Sequence, residues 1–101
     1  MACLQILIGL IVSKIEKVHD YIQIVFSDGA TLSIFNSYVY DCGSVLDIEG
    51  MKVKSVEEVC DEVSITFSDG SSISIGLKDN DYNGPEAMIL KQEGKSPIVW
   101  S

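Results

Sequence analysis

Apolar and polar residues alternate with a period of two in two separate stretches of the chain. Ile22, Ile24 and Phe26, then Leu32 and Ile34, make the first; Val63, Ile65 and Phe67, then Ile73 and Ile75, make the second. Successive side chains of a strand point to opposite faces, so this spacing predicts half-buried antiparallel strands. Both stretches are interrupted by the same tetrapeptide, Phe-Ser-Asp-Gly, at 26–29 and 67–70. The loop length follows from keeping both apolar sets on one face. A three-residue loop, Ser27-Asp28-Gly29, sets Phe26 opposite Ala30, Ile24 opposite Leu32 and Ile22 opposite Ile34. A two-residue Asp-Gly loop would oppose apolar residues with outward polar ones. The same loop is predicted in the second copy, with Gly29 and Gly70 in the left-handed conformation that only glycine adopts without steric cost. Asp28 and Asp69 then read as turn formers.

Sliding the chain by 41 residues lays 11–35 on 52–76 with about eleven of twenty-five positions identical, which is an internal duplication. Each copy opens with a strand, Val12 to Val18 or Val53 to Val59, turns at His19-Asp20 or Cys60-Asp61, and continues through its hairpin. The unit is a three-stranded meander. Neither copy buries its apolar face alone, so the expected fold is all-β and mainly antiparallel. It pairs two three-stranded meanders, related by a pseudo-twofold, in a small sandwich or half-open barrel. The whole chain, 1–101, reads as a single domain. "EAMILKQ" and "PIVWS" predict a C-terminal hairpin over about 87–101, turning at Glu93-Gly94-Lys95, with Pro97 at a strand start and Trp100 plugging the core. The N-terminal "LQILIGLIV" predicts a strand covered on both faces.

A chain of 101 residues buries roughly 65% of its unfolded surface on folding and needs no staples. Fifteen acids face seven lysines and no arginine, for a net charge of −8. That balance opposes phosphate backbones and anionic lipid, so neither nucleic acid nor a membrane is the expected partner. A basic protein is, because opposite charge speeds encounter. Cys3, Cys42 and Cys60 are odd in number and lack metal-ligand spacing, which predicts reduced thiols in a cytoplasmic protein. The apolar N-terminus has no basic region before it and is cut off by Lys14, too short to span a bilayer.

Candidate chemistry is sparse. Asp79, Asp81, Asn83 and Gly84 match the opening of a calcium loop, but its twelfth position, which must be a bidentate glutamate, is Leu90, and Pro85 stands at the seventh. No cofactor or metal is expected. His19 is the only histidine and lies at a turn with no triad around it. Asp41 and Asp61, beside Cys42 and Cys60, would raise a thiol pKa, so no nucleophile is activated and no enzyme is expected. Glu57-Glu58 and Asp61-Glu62 read as a solvated edge, since strand neighbours point apart. Beyond the strands, the 41-residue offset lays "NSYVYDC" on "LKDNDYN", giving two loops that each carry a tyrosine and an aspartate, Tyr40-Asp41 and Asp81-Tyr82. Rigid aromatic area ringed by charge suits a protein-binding surface.

"LIGLIV", two "FSDG" hairpins closing on Leu-Ser-Ile and Ile-Ser-Ile, then "YNGPEAMIL" and "IVW", resemble a family of small bacterial β-rich proteins with a duplicated F-x-D-G hairpin. The family includes immunity proteins of contact-dependent growth inhibition and related polymorphic toxin systems. The resemblance spans about residues 7 to 100. It implies a non-catalytic cytoplasmic scaffold that binds a cognate toxin domain, covers its active site or an adjacent surface, and neutralises it. A toxin that cleaves nucleic acid would be basic and suited to the −8 surface. The contact residues expected for such binding, from the loop after the second hairpin and the tyrosine-aspartate pair of the first copy, are Asp79, Asp81, Tyr82 and Glu86, then Tyr40 and Asp41. Glu57, Glu58, Asp61 and Glu62 form a second acidic candidate. The alternative is a non-catalytic structural β module that self-associates weakly through its sheet faces or edges.

Overall fold

The computed structural model of the chain describes residues 4–18, 21–41, 43–82, 84 and 86–100. Strands β1 (Val12–Val18), β2 (Tyr21–Phe26) and β3 (Thr31–Ile34) form one meander. β4 (Tyr38–Tyr40) follows, then a second meander of β5 (Val53–Val59), β6 (Glu62–Phe67) and β7 (Ser72–Gly76), and last a hairpin of β8 (Met88–Lys91) and β9 (Ile98–Trp100). They assemble into two antiparallel sheets, of order β1-β2-β3-β8-β9 and β4-β7-β6-β5. Phe26, Phe67 and the isoleucines of β2, β3, β6 and β7 meet in one shared core. The fold is the all-β sandwich of two meanders that the period-two pattern predicts.

The hairpin loops take the predicted form. Ile22 opposes Ile34 and Ile24 opposes Leu32; Val63 opposes Ile75 and Ile65 opposes Ile73. The Gly29 N–H donates to the Phe26 carbonyl at 2.9 Å and the Phe26 N–H to the Ala30 carbonyl at 2.8 Å, with the same two bonds at Gly70, Phe67 and Ser71. Both glycines sit at φ 90°. Asp28 and Asp69 each accept the N–H two residues ahead at 2.9 Å, the Asx turn that makes aspartate a turn former.

The N-terminal run is not a strand. Leu4–Leu7 forms a 3-10 helix, η1, with Leu4 and Leu7 buried and Ile6 exposed. A buried residue every third position suits three residues per turn rather than two. The chain leaves η1 through Gly9 at φ 92° before β1 begins. The second copy has the matching 3-10 helix η2 (Val45–Ile48), whose Ser44 hydroxyl caps Leu46 N–H at 3.3 Å. The duplication therefore begins earlier than the strands: Leu4, Leu7 and Gly9 correspond to Val45, Ile48 and Gly50.

The pseudo-twofold passes between Ile11 and Lys52, residues 41 apart that form an antiparallel bridge. Its flanking bonds are reciprocal. Gly9 N–H donates to Val53 C=O at 2.9 Å and Gly50 N–H to Val12 C=O at 2.7 Å; Val53 N–H donates to Leu10 C=O and Val12 N–H to Met51 C=O, both at 2.8 Å. The halves also exchange elements. η1 packs on β5 and η2 on β1. β4 follows β3 in the chain but pairs with β7, while β8 follows β7 but pairs with β3.

That exchange corrects the equivalence of the two tyrosine-aspartate loops. Tyr38 pairs with Ile75 and Met88 with Ile34, so β4 corresponds to β8 at an offset of 50. Nine residues more than the 41-residue offset are inserted after β7, and they contain the 3-10 helix η3 (Asp79–Asp81). Tyr40 is a strand residue equivalent to Leu90, and Asp81-Tyr82 belongs to the insertion. The offset broke there because an insertion, not a substitution, separates the copies.

Candidate functional site

The two halves serve as references for each other, and they differ most at one place. In the first half the rings of Tyr21 and Phe35 pack at 4.8 Å beside β2 and β3. The residues 41 further on are Glu62 and Gly76, which oppose one another on β6 and β7. Where the first half has two rings, the second has a carboxylate and no side chain. A groove of about 410 Å³ lies there, floored by Ser74 and Gly76 and flanked on one side by Ser37, Tyr38 and Val39. Asp61 and Glu62 form another wall, and Lys78, Asn80 and Asp81 of the insertion close it.

Backbone bonds fix these walls. Ser37 N–H donates to Asp81 C=O at 2.9 Å, Gly76 N–H to Ser37 C=O at 3.1 Å, and Leu77 N–H to Asp61 C=O at 2.9 Å. The buried Asn36 amide donates from Nδ2 to the Gly76 carbonyl at 2.7 Å, tying the segment between β3 and β4 to the end of β7. The absence of a side chain at Gly76 leaves room for the Asp81 carboxylate, which a Cβ there would displace. Asp81 Oδ2 in turn accepts the Lys78 N–H at 3.2 Å, capping η3.

Three carboxylates, Asp61, Glu62 and Asp81, thus face one ammonium, Lys78, around the groove. Glu62 accepts only the Ser64 hydroxyl, at 3.2 Å. The one ion pair among the described residues is the exposed Lys14–Glu16, at 2.9 Å, so the groove carboxylates carry uncompensated charge. On the other side of η3, Leu77, Asp79, Tyr82 and Gly84 line a second, more open hollow of about 450 Å³. Among the described residues no three His, Cys, Asp or Glu side chains gather as a metal ion would need. Leu90, at the twelfth position of the calcium-loop pattern, is fully buried in β8. Asn83 and Pro85 of that loop, with His19, Cys3 and Cys42, lie outside the described residues. Cys60 is free and exposed.

The structure distributes the predicted contact residues unevenly. Asp61, Glu62 and Asp81, drawn from two separate candidates, share the groove. Asp61 and Glu62 converge despite being neighbours because Asp61 is in a turn, where strand alternation does not apply. Asp79 and Tyr82 sit in the second hollow, and Glu86 is half-buried outside both. Asp81 does not look outward; its carboxylate lies on Gly76 and caps its own helix. Tyr40 and Asp41 are tied to β7: the Tyr40 hydroxyl donates to Ser71 Oγ at 3.0 Å, and Asp41 accepts the Ser72 N–H at 2.9 Å and its hydroxyl at 3.1 Å. Glu57 is exposed on β5, while Glu58 is half-buried opposite Val63 with Oε1 enclosed.

Sequence reasoning missed Ser37, Tyr38, Val39, Ser74, Gly76, Lys78 and Asn80. The available signal was where the copies disagree: Tyr21 against Glu62 and Phe35 against Gly76 are the alignment's changes from ring to carboxylate and from ring to nothing. Comparison of the chain with protein families, with curated proteins and with solved structures found no match.

Proposed function

We propose that the protein is an immunity-type inhibitor that binds a basic toxin domain through the acidic groove of its second half. One observation carries this reading. The two copies keep the same core and diverge at a surface hollow, where an aromatic pair in one is replaced by a carboxylate and a glycine in the other, and where Asp61 and Asp81 add to Glu62 against the single ammonium of Lys78. Exposed carboxylates around a concave surface suit a lysine or arginine, and a net charge of −8 favours fast, salt-sensitive capture of a cationic partner. The family resemblance points the same way, and no helix among the described residues is long and apolar enough to cross a membrane.

The test is co-purification with the domain encoded immediately upstream. A complex is expected at low salt, with an association rate that falls as salt rises. Asp61→Lys and Glu62→Lys, at exposed positions, are expected to slow association about tenfold each while leaving the fold intact. Asp81 is unsuited to this test because it caps η3. Absence of any complex at low salt would sink the reading.

A further inference from the structure

The outermost strands of the two sheets are β1 and β9 in one, β4 and β5 in the other. Unpaired strand edges invite further pairing, and three of these four are blunted. β1 and β5 each carry a bulge, after Val12 and after Val53, and each sets an ionisable residue opposite a core position, Lys17 against Ile22 and Glu58 against Val63. β9 is entered through Pro97. β4 has no bulge, no proline and no charge: it is Tyr38-Val39-Tyr40 in regular register with β7. Gly76 N–H reaches Ser37 C=O and Asp41 N–H reaches Ser72 C=O. In an antiparallel ladder that alternation turns the Val39 amide groups towards β7 and those of Tyr38 and Tyr40 outward.

The molecule contains its own example of what belongs on that edge. β8, the counterpart of β4, has its outer edge paired by β9, with Trp100 opposite Met88 and Ile98 opposite Leu90. Met88 and Leu90 are then 0% exposed. Their counterparts Tyr38 and Tyr40 are only half-buried, and Val39 between them is 68% exposed. The first link of the missing strand exists: Ala87 N–H donates to Trp100 C=O, and the equivalent Ser37 N–H donates to Asp81 C=O. After that bond the chain is in η3, not in a strand.

We propose that the outer edge of β4 accepts an extended segment of a partner protein. It pairs antiparallel to β4, as β9 does on β8, with large apolar side chains at two alternate positions over Tyr38 and Tyr40. An antiparallel segment brings its C-terminal end to the start of β4, beside Asp61, Glu62 and Asp81, so a lysine or arginine follows the apolar pair. The inference stands apart from the inhibitor reading, because the edge is tested without a toxin.

The probe is a synthetic peptide of the β9 sequence Ser-Pro-Ile-Val-Trp extended by two lysines. Added to the intact protein, it is expected to bind with at least tenfold slowing of amide exchange at Tyr38 and Tyr40 and none at Met88 or Leu90. N-methylation of its isoleucine, whose amide faces the edge in the β9 register, is expected to weaken binding more than tenfold. N-methylation of its valine, whose amide faces away, is expected to leave binding unchanged. Because only the peptide is altered, no protein variant has to fold. Absence of binding at millimolar peptide, protection confined to β8, or indifference to the N-methyl position would overturn the proposal. So would a concentration-dependent dimer in the absence of peptide that protects Tyr38 and Tyr40, since the occupant would then be a second copy.

Discussion

At residue scale the two Ser-Asp-Gly loops are identical and differ in the residue that closes them. The residue closing the first loop is Ala30, and the closing residue of the second is Ser71, 4% exposed. The side chain that the register sets near them changes in step: Leu90 in the first half, Tyr40 in the second. Ser71 Oγ donates to Asp69 Oδ1 at 2.5 Å and accepts from the Tyr40 hydroxyl at 3.0 Å, so an apolar pair in one copy is a hydrogen-bonded chain in the other. Ser71→Ala and Tyr40→Phe are each expected to cost about 1 kcal/mol, and the double variant less than the sum, measured by urea unfolding. Asp69 links this chain to pH. The Ser71 hydroxyl, and after it the Ser71 N–H, hold its carboxyl below the ordinary carboxylate range. A carboxyl depressed in the folded state stabilises it above the unfolded pKa, near 4, and that contribution is lost as pH falls through the folded value. Ser71→Ala is expected to raise the Asp69 pKa in an NMR titration and to flatten the acid limb of stability. An unchanged titration would show that solvent screening at this exposed loop outweighs the bond.

At the scale of elements, what the sequence made legible was what depends on neighbours. Period-two runs around Ser-Asp-Gly specify both hairpins, their registers and the positive φ of their glycines, because strand face and turn geometry are set within a few residues. Gly29→Ala and Gly70→Ala test this. No atom comes closer than 3.8 Å to a Cβ at Gly29 and none lies within 4 Å at Gly70, so the cost is the left-handed backbone alone. Both are expected to destabilise by a similar amount, about 1 to 2 kcal/mol. Gly76→Ala differs in kind, since it meets the Asp81 carboxylate in an ordinary backbone conformation. It is expected to cost about 1 to 3 kcal/mol as overpacking, and Asp81→Ala in the same chain to relieve part of that cost. η1 was hidden because "LQIL" reads equally as strand or helix, whereas its copy "VLDI" shows polar Asp47 at the position of Ile6. The groove was hidden for another reason: it lies between Tyr38 and Glu62, brought together by a pairing of β4 with β7 that no local pattern encodes.

For the whole molecule that exchange of strands determines how it comes apart. In two independent meanders packed face to face, one sheet would open while the other stayed folded. Here each sheet contains a strand supplied by the opposite half, β4 beside β7 and β8 beside β3, and the first strands of both halves are bonded across the pseudo-twofold at Ile11 and Lys52. Opening the first sheet strips β8 and its core residues Met88 and Leu90 from Ile34 and Leu32, and pulls on the insertion that walls the groove of the second. Cooperative units follow such shared contacts rather than repeat boundaries. The chain is therefore expected to unfold in one transition despite its duplication. Trp100, the only tryptophan, reports from β9 at one end of the first sheet. Its fluorescence transition in urea should coincide with loss of the far-ultraviolet β signal. The amides of Ile24 and Leu32 in one sheet and Ile65 and Ile73 in the other should share one opening free energy in hydrogen exchange. Separate values for the two sheets would mean that β4 and β8 decorate their partners without coupling them, and the groove of the second sheet would then open independently of the first sheet.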